Sequence, residues 1–137
     1  MKYSGVVLAD RHLNLLGGVH GLLDSLFNTV LMVADEGALF EAVAKFNPCL
    51  VVVDISLPDP GDGNIAKRLL GAYPGLRLIV LSVHDDPTII EPLLVAGTAG
   101  YVLKRTVATD LVPAVHEVLR GGVFVSPTVK DHHVPTA

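Results

Sequence analysis

Apolar residues fall along this chain in two rhythms. Short unbroken runs occur at Val6-Val7-Leu8-Ala9, Val30-Leu31-Met32-Val33-Ala34, Leu50-Val51-Val52-Val53, Leu78-Ile79-Val80-Leu81 and Tyr101-Val102-Leu103. Runs of this length bounded by turn residues suit strands buried on both faces. Between them, apolar positions recur every three or four residues. Leu15, Val19, Leu22, Leu23 and Leu26 form one such stripe; Leu39, Val43 and Phe46 form another; Ile65, Leu69 and Leu70 a third. The pattern predicts strands at 5–9, 29–34, 50–54, 76–82 and 100–104, with a helix after each.

Punctuation sharpens the helices. Gly17, Gly18 and Gly21 weaken the first by up to ~1 kcal/mol each relative to Ala, although its apolar stripe stays regular. The second runs from Glu36 to Phe46, where Pro48 blocks continuation. Asp62 or Asn64 caps a third that ends before Pro74-Gly75. Asp86-Pro87 pairs a capping carboxylate with proline at the first helical position, and that fourth helix ends near Gly97. Thr106 or Thr109 opens the last, which stops at Gly121-Gly122. Pro92 lies inside the fourth helix, where proline costs on the order of 3 kcal/mol, so a bend or break is expected near Thr88–Pro92. Pro113 is expected to cost less, at the edge of its helix's first turn if Thr109 is the cap. Five strand–helix alternations define an α/β fold with a parallel sheet.

At 137 residues the chain is long enough for one domain with a sizeable core. Half its residues are hydrophobic and 18% are charged. No run approaches the ~20 apolar residues of a membrane span, and the first residues carry no signal-peptide pattern. Cys49 is the one cysteine, read as a small hydrophobe at the start of a strand. A cytoplasmic location fits. A formal net charge of −4 and the lack of a basic patch argue against direct nucleic-acid binding.

Chemistry collects at strand ends. The third run ends in Asp54, the first in Asp10-Arg11, the fourth in Ser82 and the fifth in Lys104. In an open parallel sheet, ligands bind outside the carboxyl ends of the strands. Parallel neighbours would gather carboxylates, a hydroxyl and an ammonium at one edge. Asp10-Arg11-His12-Leu13-Asn14 offers no glycine, so neither phosphate-loop pattern follows the first strand. His12 and His20 lack partners at metal-ligand spacing, and His132-His133 lies in a polar tail.

These motifs carry a family resemblance over about residues 5–127. Val7-Leu8-Ala9-Asp10-Arg11-His12, Val53-Asp54-Ile55-Ser56-Leu57-Pro58, Val80-Leu81-Ser82-Val83-His84-Asp85-Asp86 and Ala99-Gly100-Tyr101-Val102-Leu103-Lys104 together resemble the receiver domain of bacterial two-component response regulators. His84-Asp85-Asp86, Arg105 after Lys104, and Gly121-Gly122 with Ser126-Pro127 resemble the subfamily (LuxR/NarL-like) whose receivers precede a helix-turn-helix domain. The resemblance implies a doubly wound, five-stranded parallel sheet of order 2-1-3-4-5. Residues 1–127 would form the receiver, and 128–137 a tail or the start of a linker.

The resemblance also implies that Asp54 accepts a phosphoryl group from a histidine kinase, and that the domain is a switch rather than an enzyme. Ser82 and Lys104 would bind the phosphoryl oxygens. Tyr101 matches the aromatic switch that turns inward on activation. Mg²⁺ would be held by Asp10, Asp54 and the backbone carbonyl of Ser56. The family usually has two adjacent acidic residues after the first strand; here Arg11 falls on the direct ligand's position. A guanidinium cannot ligate a cation, so Arg11 weakens the metal site. The alternative is a pseudo-receiver, a binding or dimerisation module without phosphoryl chemistry. The loop after Pro58 holds one residue more than the family's usual turn. Signals in receivers leave through the fourth helix, fifth strand and fifth helix, a face that also suits a homodimer.

Overall fold

The structure, a computed structural model, describes residues 2–10, 17–57, 64–127 and 129. Strands β1 (Tyr3–Ala9), β2 (Phe27–Val33), β3 (Leu50–Asp54), β4 (Leu78–Ser82), β5 (Gly100–Leu103) and β6 (Phe124–Val125) alternate with helices α1 (Gly17–Leu26), α2 (Glu36–Phe46), α3 (Ile65–Ala72), α4 (Pro87–Val95) and α5 (Val107–Leu119). A 3₁₀ turn at Lys104–Thr106 joins β5 to α5. All neighbouring strands pair in parallel, in the order β2-β1-β3-β4-β5-β6. The first five positions match the expected sheet. The sixth strand is an addition, and its two residues are too few to show a pattern in the sequence.

The apolar runs read as strands because alternate residues serve two cores. Val7, Ala9, Val51, Val53 and Val80 face one cluster, with Leu39 of α2, Leu69 of α3 and Leu93 of α4. Val6, Leu8, Val52, Ile79 and Leu81 face the other, with Val19 and Leu23 of α1 and Leu111 and Val115 of α5. Successive strand side chains point to opposite faces, so a sheet covered on both sides needs apolar residues at every position. All five residues of β3 are buried.

Local signals set the helix ends. The Asp35 carboxylate accepts the Ala38 N–H at 2.7 Å, capping α2. Asn47 closes it in the left-handed region at φ 50°, its N–H donating to the Val43 carbonyl; Pro48 follows. Asp86 caps α4 by accepting the Thr88 N–H at 2.9 Å.

Both interior prolines lie within unbroken helices. Helix α4 is one continuous element from Pro87 to Val95, not a broken one. Pro92 and Thr88 are both exposed, so the proline and the residue whose carbonyl loses its N–H partner lie outside the core. In α5 the cap position is Thr106, not Thr109. Pro113 therefore sits deeper than the first turn, again at an exposed position. No helix among the described residues is long and apolar enough to cross a membrane.

Candidate functional site

The sheet order brings the strand ends together. Ala9 pairs in register with Val53, so Asp10 follows β1 beside Asp54 at the end of β3. Asp54 pairs with Leu81, and Ser82 with Leu103, immediately before Lys104. Asp10, Asp54 and Ser82 are all buried. Asp54 thus lies at the centre of the edge, with the second carboxylate on one side and the hydroxyl and ammonium on the other.

Both Asp54 oxygens are held. Lys104 Nζ donates to Oδ2 at 2.6 Å, forming an ion pair. The Ser56 N–H donates to Oδ1 at 2.9 Å, because the chain turns just after β3 and aims its amide back at the carboxylate. Burial pushes the Asp54 carboxyl up, but the hydrogen bond from Lys104, those from the Ser56 backbone and hydroxyl, and the Lys104 charge outweigh it. The carboxyl is held below its ordinary value and is ionised at neutral pH, as a nucleophile must be.

A pocket of about 340 Å³ opens beside this pair. Asp54, Ser56, His84 and Lys104 supply its polar lining; Ile55, Val83 and Ile89 supply the apolar part. Ser82 Oγ accepts the His84 N–H at 3.0 Å. Tyr101 is fully buried and turned inward, and its hydroxyl donates to the His84 carbonyl at 2.7 Å. Arg105 pairs with Asp85 at 3.1 Å across the same loop.

The residues picked from strand ends, Asp10, Asp54, Ser82 and Lys104, therefore converge, and Ser56 and Tyr101 join them. Arg11, His12 and the loop at 58–63 lie outside the described residues. Sequence reasoning missed two contributors. His84 enters through its backbone, which no side-chain pattern reveals. Ser126 is buried and bonds to β5, 23 residues from its partner, with no local signal beyond its place before Pro127.

A family model described as "Response regulator receiver domain" matches residues 6–116. The chain belongs to that family. It is 32% identical over 126 residues to the transcriptional regulatory protein DegU of Brevibacillus brevis, covering 90% of this chain and 53% of the relative. It is 37% identical over 128 residues to the transcriptional regulatory protein UhpA of Salmonella typhimurium, covering 90% of this chain and 63% of the relative. The chain thus spans little more than half the length of these curated relatives. Among solved structures, a LuxR-family two-component response regulator from Aurantimonas sp. SI85-9A1 superposes with a TM-score of 0.84 at 25% identity, covering 93% of each chain. The subfamily resemblance read from His84-Asp85-Asp86 and Ser126-Pro127 agrees with these relatives.

Receiver domains commonly bind Mg²⁺ at the acidic site. Here two buried carboxylates, Asp10 directly after β1 and Asp54 at the end of β3, supply hard oxygens at neighbouring strand ends. Among the described residues, no three His, Cys, Asp or Glu side chains gather into a metal cluster. Mg²⁺ keeps several waters and takes one or two carboxylates, so this small oxygen set fits it in kind.

Proposed function

We propose that the domain is a phosphoryl-accepting switch with Asp54 as the acceptor and a histidine kinase as the donor. The observation that carries the reading is the 2.6 Å pair between Asp54 Oδ2 and Lys104 Nζ at the edge of the sheet. An ionised carboxylate at the mouth of a pocket is a nucleophile, and an ammonium beside it is a ready partner for the incoming phosphoryl oxygens.

The transfer proceeds in line. An Asp54 carboxylate oxygen forms a P–O bond as the P–N bond to the kinase histidine breaks. The departing imidazole nitrogen keeps that electron pair and takes a proton from solvent. Lys104 passes from Asp54 Oδ2 to a phosphoryl oxygen and stays charged throughout. The Ser82 hydroxyl, which accepts the His84 N–H, donates its own proton to another oxygen. Asp10, Asp54 and the Ser56 carbonyl are the groups that would hold Mg²⁺, which when bound supplies positive charge against the remaining phosphoryl oxygens. The domain modifies itself and turns over no separate substrate.

The output follows from the relatives' role as transcriptional regulatory proteins. We assign the surface of α4, β5 and α5 to signal output and to a homodimer; Val95, 80% exposed at the end of α4, lies on it. The pseudo-receiver alternative draws on Asp10-Arg11 in place of an acidic pair. One experiment separates the two readings. Incubation with a small phosphodonor and Mg²⁺ should add one hydroxylamine-labile phosphoryl group, seen by mass spectrometry and absent from Asp54→Asn. An unmodified wild-type chain favours the pseudo-receiver; label on Asp54→Asn overturns the acceptor assignment.

A further inference from the structure

The segment after α5 returns to the sheet and attaches to the strand that carries Lys104. Phe124 N–H donates to the Ala99 carbonyl and Ser126 N–H to the Tyr101 carbonyl, each at 2.9 Å. Val125 pairs in register with Tyr101. The parallel ladder stops there. Its next rung would need the Leu103 N–H to meet a backbone carbonyl of the incoming segment. Instead the Ser126 carbonyl accepts the Val129 N–H at 3.1 Å, and the Ser126 side chain takes over: Leu103 N–H donates to Ser126 Oγ at 3.0 Å. Ser126 is fully buried, and Val129, 7% exposed, joins the apolar cluster that holds Tyr101, Leu103 and Leu57.

We propose that Ser126 is a positioning residue for Lys104, so that docking of Phe124–Ser126 and Val129 and occupation of the phosphoryl site stabilise each other. The inference rests on the phosphoryl-acceptor reading. Leu103 directly precedes Lys104, and its amide is the last ladder donor on that side of β5. Without the Ser126 oxygen, a buried N–H is left unpaired, which is costly enough to displace the strand end. Lys104 must hold its ammonium within hydrogen-bonding distance of a phosphoryl oxygen, and a shift of its backbone moves that charge. Coupling of this kind is reciprocal by thermodynamic necessity: a site that orders Lys104 also orders the segment that leaves the domain.

The test uses the full chain and beryllofluoride with Mg²⁺ as the phosphoryl probe. Ser126→Ala should weaken beryllofluoride binding by about fivefold or more, the lower end of ordinary couplings between sites. Ser126→Thr, which keeps the hydroxyl, should restore most of it. In a Lys104→Ala background, Ser126→Ala should have no further effect, because its influence runs through that ammonium. In the wild type, beryllofluoride should slow amide exchange at Phe124, Ser126 and Val129, a measurement that needs no variant to fold. Wild-type affinity in Ser126→Ala overturns the coupling. So does an equal loss with and without Lys104, or unchanged exchange at Phe124, Ser126 and Val129. A wild-type chain that binds no beryllofluoride overturns the acceptor reading and the coupling with it.

Discussion

The Tyr101 hydroxyl donates to the His84 carbonyl at 2.7 Å, while the His84 N–H donates to Ser82 Oγ at 3.0 Å. One residue of the β4–α4 loop is therefore clamped from both sides, by the site hydroxyl and by a buried tyrosine two strand positions from Leu103. Burial raises the Tyr101 pKa; a hydrogen bond with Ser82 opposes this and the nearby Asp85 charge adds to it. The phenol stays protonated at physiological pH and remains a donor. Any movement of Ser82 toward a ligand is passed through His84 to Tyr101.

Tyr101→Phe should keep the buried ring and remove only the donor. The expected loss is about 0.5–1.5 kcal/mol, the net worth of one hydrogen bond. Amide exchange at His84, Asp85 and the capping residue Asp86 should speed up, while exchange in β3 stays the same. Unchanged loop exchange would show that Ser82 alone holds the loop.

The Asp54–Lys104 pair makes stability depend on acid pH. The Asp54 carboxyl lies below its ordinary value of 3.8 in the folded chain. Between the two values the unfolded chain binds a proton that the folded chain refuses, so folding weakens as pH falls through that window. Above it, at neutral pH, the contribution is fully present. Asp54→Asn removes this titration. Urea midpoints followed from about pH 7 down to about pH 3 should fall less steeply for Asp54→Asn than for wild type. Parallel curves would show that the pair carries no such linkage.

Much of this arrangement is legible in the residues. Leu50 to Asp54 reads as a central strand because its four apolar residues have no polar alternation, and both faces of β3 are in fact covered. Pro48 and Asp86-Pro87 mark helix ends through local chemistry that acts within four residues. The site is legible only once strand order is supplied, since Asp10, Asp54, Ser82 and Lys104 are far apart in sequence and meet by topology. What escapes is set by distant backbone. Phe124-Val125 is a strand because β5 offers an open edge, and Ser126 is buried because the Leu103 amide needs an acceptor.

Two glycines in opposite surroundings should respond in opposite ways to alanine. Gly21 lies on the exposed side of α1, and a Cβ there meets nothing within 4 Å. Gly21→Ala should stabilise by about 0.5–1 kcal/mol, the helix-propensity difference. Gly100 starts β5 directly beside its register partner Ile79. A Cβ there lies 2.7 Å from Ile79 Cγ1 and 3.3 Å from Val118 Cγ2, atoms in the packed layer between the sheet and α5. Gly100→Ala should destabilise by about 1–3 kcal/mol. Thermal melts of the two variants should move in opposite directions; a stabilised Gly100→Ala would mean that α5 can retreat freely from β4 and β5.

Pro92 tests how much an unbroken helix conceals. It is the sixth residue of α4, counted from Pro87, and has no N–H to give the Thr88 carbonyl. The helix continues regardless, with the Ala96 N–H reaching the Pro92 carbonyl at 3.0 Å and Ile90 and Leu93 buried on its inner face. Those inward residues fix the helix on the sheet, so the penalty falls on the outer face, where Thr88 and Pro92 are both exposed. Pro92→Ala restores the missing bond and relieves the ring's crowding. It also returns freedom to the unfolded chain, which takes back about 0.4–1 kcal/mol. Against an interior-proline penalty of ~3 kcal/mol reduced by exposure, the net gain should be about 1–2 kcal/mol, read as a higher urea midpoint with an unchanged slope. The chemistry at Asp54 should not change, because Pro92 is not among the residues that line the pocket beside it. Unaltered stability would show that the Thr88 carbonyl already has its full hydrogen bonding from water.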